Sequence, residues 1–200
     1  FIGMTMETVF LQPAEGKIDN DTPMSFTFSG DDDVWIFIDN VLVSDLGGVH
    51  DECFTVIDFE TGMVYTGLTP IVQNTDGTFS DAIPTLEELR GNAATDKRWE
   101  WYDRTPTAGG GRVGTKNGSY DAFAAAHNIT SKSLKDIFTE AGLAQYQTWG
   151  GASGMSANTF DQNTQHELKM FYLERGGGRF QPGAGVQYAG GAGLRCDEDR

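Results

Sequence analysis

The run Asp31-Asp32-Asp33 sets three carboxylates side by side, between the apolar stretches Met24-Ser25-Phe26-Thr27-Phe28 and Val34-Trp35-Ile36-Phe37-Ile38. Adjacent like charges repel, so such a run needs either free water or a cation. A solvated turn is one reading, since aspartate is common in turns and costs little there. A site for a hard cation is the other. Calcium takes six to eight oxygens at roughly 2.3–2.6 Å, and neighbouring carboxylates at a sheet end can supply several of them. On that reading Asp31, Asp32 and Asp33 are the metal ligands. Asp39, Asn40, Asp45 and Asp51 lie close in sequence. Asp39-Asn40 better suits a two-residue hairpin, because both residue types tolerate positive φ.

The other chemistry-bearing residues are more scattered. Trp99, Trp101, Tyr102 and Trp149 offer rings that stack on the apolar faces of sugars, or that pack a core. Trp99 and Trp149 are taken as the candidate ligand-binding aromatics. His50, His127 and His166 lack the spacing of zinc ligands, and His50 and His166 read as hydrogen-bonding structural residues. Asn117-Gly118-Ser119 and Asn128-Ile129-Thr130 match the pattern for N-linked glycosylation, which matters in a eukaryotic secretory setting. A glycoside hydrolase would need two carboxylates facing each other across a cleft, whereas Asp31 to Asp33 are adjacent. No nucleophile motif, phosphate loop or redox pair is present, and the expectation is a binding module without enzymatic activity.

These residues must be held by a frame, and the chain is rich in strand signals. Met24 to Phe28 alternates at period two, and Val34 to Ile38 is apolar on both faces, as in a strand buried on both sides. Asp39-Asn40 turns into Val41-Leu42-Val43. Phe54 to Phe59, the turn Glu60-Thr61-Gly62 and Met63-Val64-Tyr65 suggest a second hairpin. Late in the chain, Leu168, Met170 and Tyr172 fall on one face of a strand spanning His166 to Arg175. The middle differs. Thr85 with Glu88 three residues on makes a capping box, and Leu134, Ile137 and Phe138 recur at helical spacing before Gly142. Residues 84–155 are therefore read as a helical and loop insertion in an all-β antiparallel sandwich.

With 29 acidic against 14 basic residues, the formal charge of −15 repels a phosphate backbone and sets nucleic acid aside. No apolar run is long enough to span a bilayer, so no membrane insertion is expected. The chain begins at Phe1, without a basic-then-apolar leader, and is read as a piece of a longer polypeptide whose compartment it does not mark. Two cysteines, Cys53 and Cys196, give no disulfide framework, and Cys53 reads as a lone buried thiol.

The segment from Phe28 to Asp39, Phe-Ser-Gly-Asp-Asp-Asp-Val-Trp-Ile-Phe-Ile-Asp, runs on into Leu46-Gly47-Gly48-Val49-His50 and resembles the signature of fibro-slime domains. Phe59-Glu60-Thr61-Gly62 and the stretch from His166 to Gly176 match the same style. That family is a branch of the anthrax protective-antigen (PA-fourteen) superfamily, found in bacterial surface proteins and slime-mould secreted factors. The resemblance covers most of residues 1–176 and implies one β-sandwich domain of an extracellular or cell-surface protein. In the yeast adhesin branch an Asp-Asp pair, often joined by a cis peptide, holds calcium, and the ion binds sugar hydroxyls directly. Carried over by position, that pair is Asp31-Asp32. The resemblance thus implies calcium as cofactor and glycans or cell-surface polysaccharide as partners, with a calcium-rigidified spacer as the alternative.

After Gly176 the pattern departs from the family, which typically continues Ala-Gly-Ala-Ser-Asn-Leu. Gly177-Gly178-Arg179-Phe180-Gln181-Pro182 can be encoded by bases that give those family residues when read one position later. Residues 177–200 are accordingly expected to carry no regular structure, as out-of-frame translation of a closing strand.

Overall fold

The computed structural model describes residues 2–48, 50–73, 75–91, 99–102, 115–118 and 120–174. Period-two alternation builds most of it. The first strands are β1 (Ile2–Leu11), β2 (Ser25–Gly30), β3 (Asp33–Ile38), β4 (Val41–Leu46), β5 (Cys53–Asp58) and β6 (Met63–Leu68). Then come β7 (Ile71–Gln73), β8 (Phe79–Asp81), helix α1 (Leu86–Leu89), β9 (Trp99–Tyr102), β10 (Thr115–Gly118) and helix α2 (Tyr120–Ala126). The last elements are β11 (Thr130–Ser133), helix α3 (Leu134–Glu140) and β12 (Gln165–Glu174).

Two four-stranded sheets, ordered β1-β12-β3-β4 and β11-β6-β5-β2, form a β-sandwich. The pairs β1 with β12, β12 with β3, β3 with β4 and β2 with β5 are antiparallel. Val34, Ile36 and Ile38 of β3 and Leu168 and Met170 of β12 face Phe26 and Phe28 of β2 and Ile57 of β5 in one core. Burying each such side chain contributes about 2 kcal/mol, so this core outweighs any surface contact in holding the sandwich together. The hairpin between β3 and β4 turns on Asp39 and Asn40, whose φ values are 47° and 64°. These match the two-residue turn read from the residue types.

Two details differ from the sequence reading. Strand β3 buries its large apolar side chains on one face: Val34, Ile36 and Ile38 are fully buried, while Trp35 and Phe37 on the other side are half-buried. There Phe37 meets Phe171 edge-to-face at 5.7 Å, so aromatic contact on the outer surface accounts for the second apolar face. Cys53 is only half-buried, and its thiol donates to the Asp51 carbonyl at 3.3 Å.

The chain divides into one compact unit of Phe1–Tyr65 with Ser131–Arg200 and another of Thr66–Thr130. The middle unit therefore differs in bounds from 84–155, and it is not only helix and loop. It carries a third four-stranded sheet, β10-β9-β7-β8, beside α1 and α2. Short strands with irregular sequence gave no period-two signal there. The segment from residue 131 onward belongs with the sandwich, because Leu134 and Phe138 of α3 are fully buried in the sandwich core beside Phe160. The helix signals themselves match: Thr85 and Glu88 close a reciprocal capping box on α1, and Gly142 follows α3 at φ 71°. Residues 177–200 lie outside the described part of the chain.

Candidate cation site at one end of the sandwich

Strand β2 ends at Gly30 in one sheet, and β3 begins at Asp33 in the other. Asp31 and Asp32 thus form the crossover between the sheets, after β2 ends and before β3 begins. Register supplies the third group. Asp33 pairs with Leu173 of β12, so the following residue, Glu174, closes that strand at the same end of the sandwich. One carboxylate oxygen each from Asp31, Asp32 and Glu174 lie within 4.8 Å of one another. Asp31 is exposed, while Asp32 and Glu174 are half-buried.

An ion about 2.4 Å from each of its ligands holds them at most twice that distance apart, so three hard oxygens at this spacing fit a calcium-sized cation. Without counter-charge, two carboxylates about 4 Å apart repel by roughly 1 kcal/mol in water and 4 kcal/mol near a protein surface. A divalent ion reverses that sign. Three carboxylates leave part of a six- to eight-oxygen shell open to water or to ligand hydroxyls.

Tyr172 fixes the geometry of Glu174. The side chain of Tyr172 is half-buried against the core, and its hydroxyl donates to Glu174 Oε2 at 2.6 Å. Burial, the hydrogen bond to Glu174 and the charges of Glu174, Asp32 and Asp31 all push its phenol well above the usual tyrosine value. The negative field of the cluster thus reaches a neutral neighbour already in place.

Asp33 is turned to other work. It is buried, and its Oδ1 accepts from Gly48 N at 2.5 Å, while Asp45 Oδ1 accepts from Gly47 N at 2.9 Å. Together they pin the loop after β4. His50 adds to this, with its ring nitrogens 2.8 Å from the Leu46 and Asp51 carbonyls. So the structure brings together Asp31 and Asp32 of the expected triad, leaves Asp33 to the loop, and adds Glu174. Among the described residues no peptide bond is cis, so the Asp31-Asp32 bond is trans.

Trp149 lies elsewhere. It stacks on Phe160 at 5.2 Å, meets Phe138 edge-to-face at 5.6 Å and donates its indole N–H to the Ala144 carbonyl at 2.9 Å. Phe160 in turn stacks on His166 at 3.7 Å. His166 and Glu174 stand at opposite ends of β12, roughly 25 Å apart at the rise of a β-strand. Trp149 is therefore a packing residue at the end remote from the carboxylates. The side chain of Trp99 lies outside the described part.

Sequence reasoning missed Glu174, although a signal was available. Glu174 shares parity with Leu168, Met170 and Tyr172, the core-facing positions of β12, so the alternation alone puts its carboxylate on the sheet face that carries the core.

Comparison with known proteins gives partial likenesses. The chain is 51% identical to protein psiR of Dictyostelium discoideum over 45 residues, 22% of this chain and 4% of that protein. It is 58% identical to protein psiE of the same organism over 36 residues, 18% of this chain and 7% of that protein. With protein psiK it shares 36% identity over 80 residues, 40% of this chain and 10% of that protein. The chain thus matches no more than a tenth of the length of these relatives. No family model matches the chain, and no solved structure matches it.

Proposed function

We propose that this chain is a calcium-dependent carbohydrate-binding module of an extracellular or cell-surface protein, of the fibro-slime branch of the PA-fourteen superfamily. One observation carries the reading: oxygens of Asp31, Asp32 and Glu174 converge within 4.8 Å at a sandwich end. Partly exposed carboxylates there can hold the ion while leaving coordination positions open. Vicinal sugar hydroxyls suit those positions, since one diol replaces two waters at little extra ordering cost. The motif residues from Phe28 to His50 support the family assignment.

The test is a glycan array probed with and without a chelator, paired with calcium titration of the same protein. Chelator-sensitive retention on a defined set of glycans is the expected result. Retention that ignores the chelator would remove the calcium bridge, and turnover of a glycoside would replace binding with hydrolysis.

A second reading, a calcium-rigidified spacer with no sugar ligand, is favoured by the origin of the three carboxylates. All come from the sandwich frame itself, the crossover between sheets and the end of β12, so an ion there ties one to the other. Calcium-dependent stabilisation on an array that stays blank selects it.

A further inference from the structure

We infer that Asn128 is an acceptor site for N-linked glycosylation. The acceptor pattern Asn128-Ile129-Thr130 sits where the chain leaves α2, and both Asn128 and Thr130 are exposed. The local backbone explains the turn but not these side chains. Asn128 adopts φ 50°, Ile129 N donates to Ala124 O at 2.8 Å and Asn128 N donates to Ala125 O at 3.4 Å. This is a Schellman helix end, whose left-handed position glycine fills at least as well as asparagine. Asn128 uses only its main chain there. Its carboxamide hydrogen-bonds to no described residue and stands free in solvent.

The turn is also rigidly seated. Leu68 N donates to the His127 carbonyl at 2.7 Å, and a Cβ on Gly67 would come within 2.9 Å of that carbonyl oxygen and of the Ile129 side chain. Thr130 Oγ1 lies 2.7 Å from Thr66 Oγ1, which holds the second element of the pattern in place at the surface. A glycan on Asn128 therefore projects into water without disturbing the fold. In the transfer, the Asn128 carboxamide nitrogen bonds to the anomeric carbon of a lipid-linked oligosaccharide diphosphate. The bond from that carbon to the diphosphate oxygen breaks, and the amide proton leaves with the lipid diphosphate. The other pattern, at Asn117, has side chains outside the described part.

The full chain, exported from a eukaryotic host behind a cleavable leader, is treated with an amidase-type N-glycosidase in heavy-oxygen water and mapped by peptide mass spectrometry. Because the leader supplies export and the readout is covalent, failure here is separate from failure of the cation or sugar reading. Heavy-labelled aspartate at position 128 is expected, kept in Thr130→Ser and lost in Thr130→Ala. Asn128→Gly, which suits the left-handed turn, is expected to be secreted at the level of the parent with the glycan at that position gone. Unlabelled Asn128 in the secreted parent, or label at position 117 alone, overturns the inference. So does label that persists in Thr130→Ala.

Discussion

Asp39 and His166, separated by 127 positions in the chain, meet at 2.7 Å between Asp39 Oδ2 and His166 Nδ1. The same carboxylate accepts Gln147 Nε2 at 3.0 Å and, through Oδ1, Glu167 N at 2.9 Å. His166 Nε2 is 2.7 Å from Thr164 Oγ1, and its ring stacks on Phe160. A residue that turns the β3–β4 hairpin thereby also ties that hairpin to β12 and to the segment carrying Trp149. One end of the sandwich is closed by this network, and the carboxylate cluster lies at the other.

That network makes acid stability depend on Asp39. Burial opposes its charge and is the largest single influence. The hydrogen bonds from His166, Glu167 and Gln147, with the charge of His166, outweigh burial and hold the carboxyl below its ordinary value. A folded value below the unfolded one, near 3.9, contributes stability in full above about pH 4, and the contribution fades as pH falls through the folded value. Asp39→Asn is expected to be less stable at neutral pH and to show a flatter loss on acidification, read by denaturant melts at stepped pH. Parallel acid limbs in parent and variant would remove Asp39 from the account.

Trp149→Ala is expected to lower stability by about 3 kcal/mol, because it strips a ring that stacks on Phe160 and meets Phe138 edge-to-face. Calcium affinity, measured by titration calorimetry below the melting temperature, is expected to stay within twofold of the parent. A large fall in affinity with unchanged melting would return Trp149 to the binding site.

How far each feature could be read from sequence follows its range along the chain. The Thr85–Glu88 box, the Asp39-Asn40 turn and Gly142 after α3 were legible because each is decided within four residues. Asp31 and Asp32 were legible as a pair for the same reason. Glu174 was not, since its place beside them depends on β12 lying against β3 in the register Leu173 to Asp33, and sheet order is not written in local pattern. The contact of Asp33 Oδ1 with Gly48 N spans a whole hairpin, so no local pattern announces it. Asp39 shows in the sequence only as a turn residue, since His166 and Gln147 reach it from more than 100 positions away.

Gly62 makes the β5–β6 turn at φ 76°, and a Cβ there would stand 2.3 Å from the Asn158 carbonyl carbon and oxygen. Both the left-handed backbone and the close approach of another main chain oppose any side chain. Gly62→Ala is expected to cost more than about 2 kcal/mol in chemical denaturation. A cost under about 0.5 kcal/mol would mean that the loop around Asn158 yields easily.

On the alkaline side, Tyr172 carries the dependence. Its folded value is raised above the unfolded one, near 10, so its contribution is complete below about pH 10 and fades as pH rises through the folded value. Tyr172→Phe is expected to lose about 1 kcal/mol at neutral pH with the hydrogen bond to Glu174, and to flatten the alkaline decline. Phenolate absorbance in the parent is expected to stay incomplete after exposed tyrosines have ionised. An alkaline limb unchanged by the substitution would count against this role.

The cation reading makes the sharpest demand on stability. An ion that binds the folded chain and not the unfolded one stabilises it by an amount set by the ratio of free ion to dissociation constant, about 2.7 kcal/mol at a hundredfold excess. Because Asp31, Asp32 and Glu174 each supply one converging oxygen, Asp31→Ala, Asp32→Asn and Glu174→Gln are each expected to remove most of that gain. Asp33→Asn is expected to keep the gain while destabilising the chelated protein, since Asp33 holds the loop through Gly48. The four variants and the parent are melted with calcium and with chelator. If the calcium-dependent shift survives in Glu174→Gln but vanishes in Asp33→Asn, the ion sits on the buried side of the crossover and the converging trio is not its site. If the parent shows no shift at all, the carboxylates at this end are a solvated acidic turn, and repulsion relieved by substitution will leave the Asp31→Ala protein at least as stable as the parent.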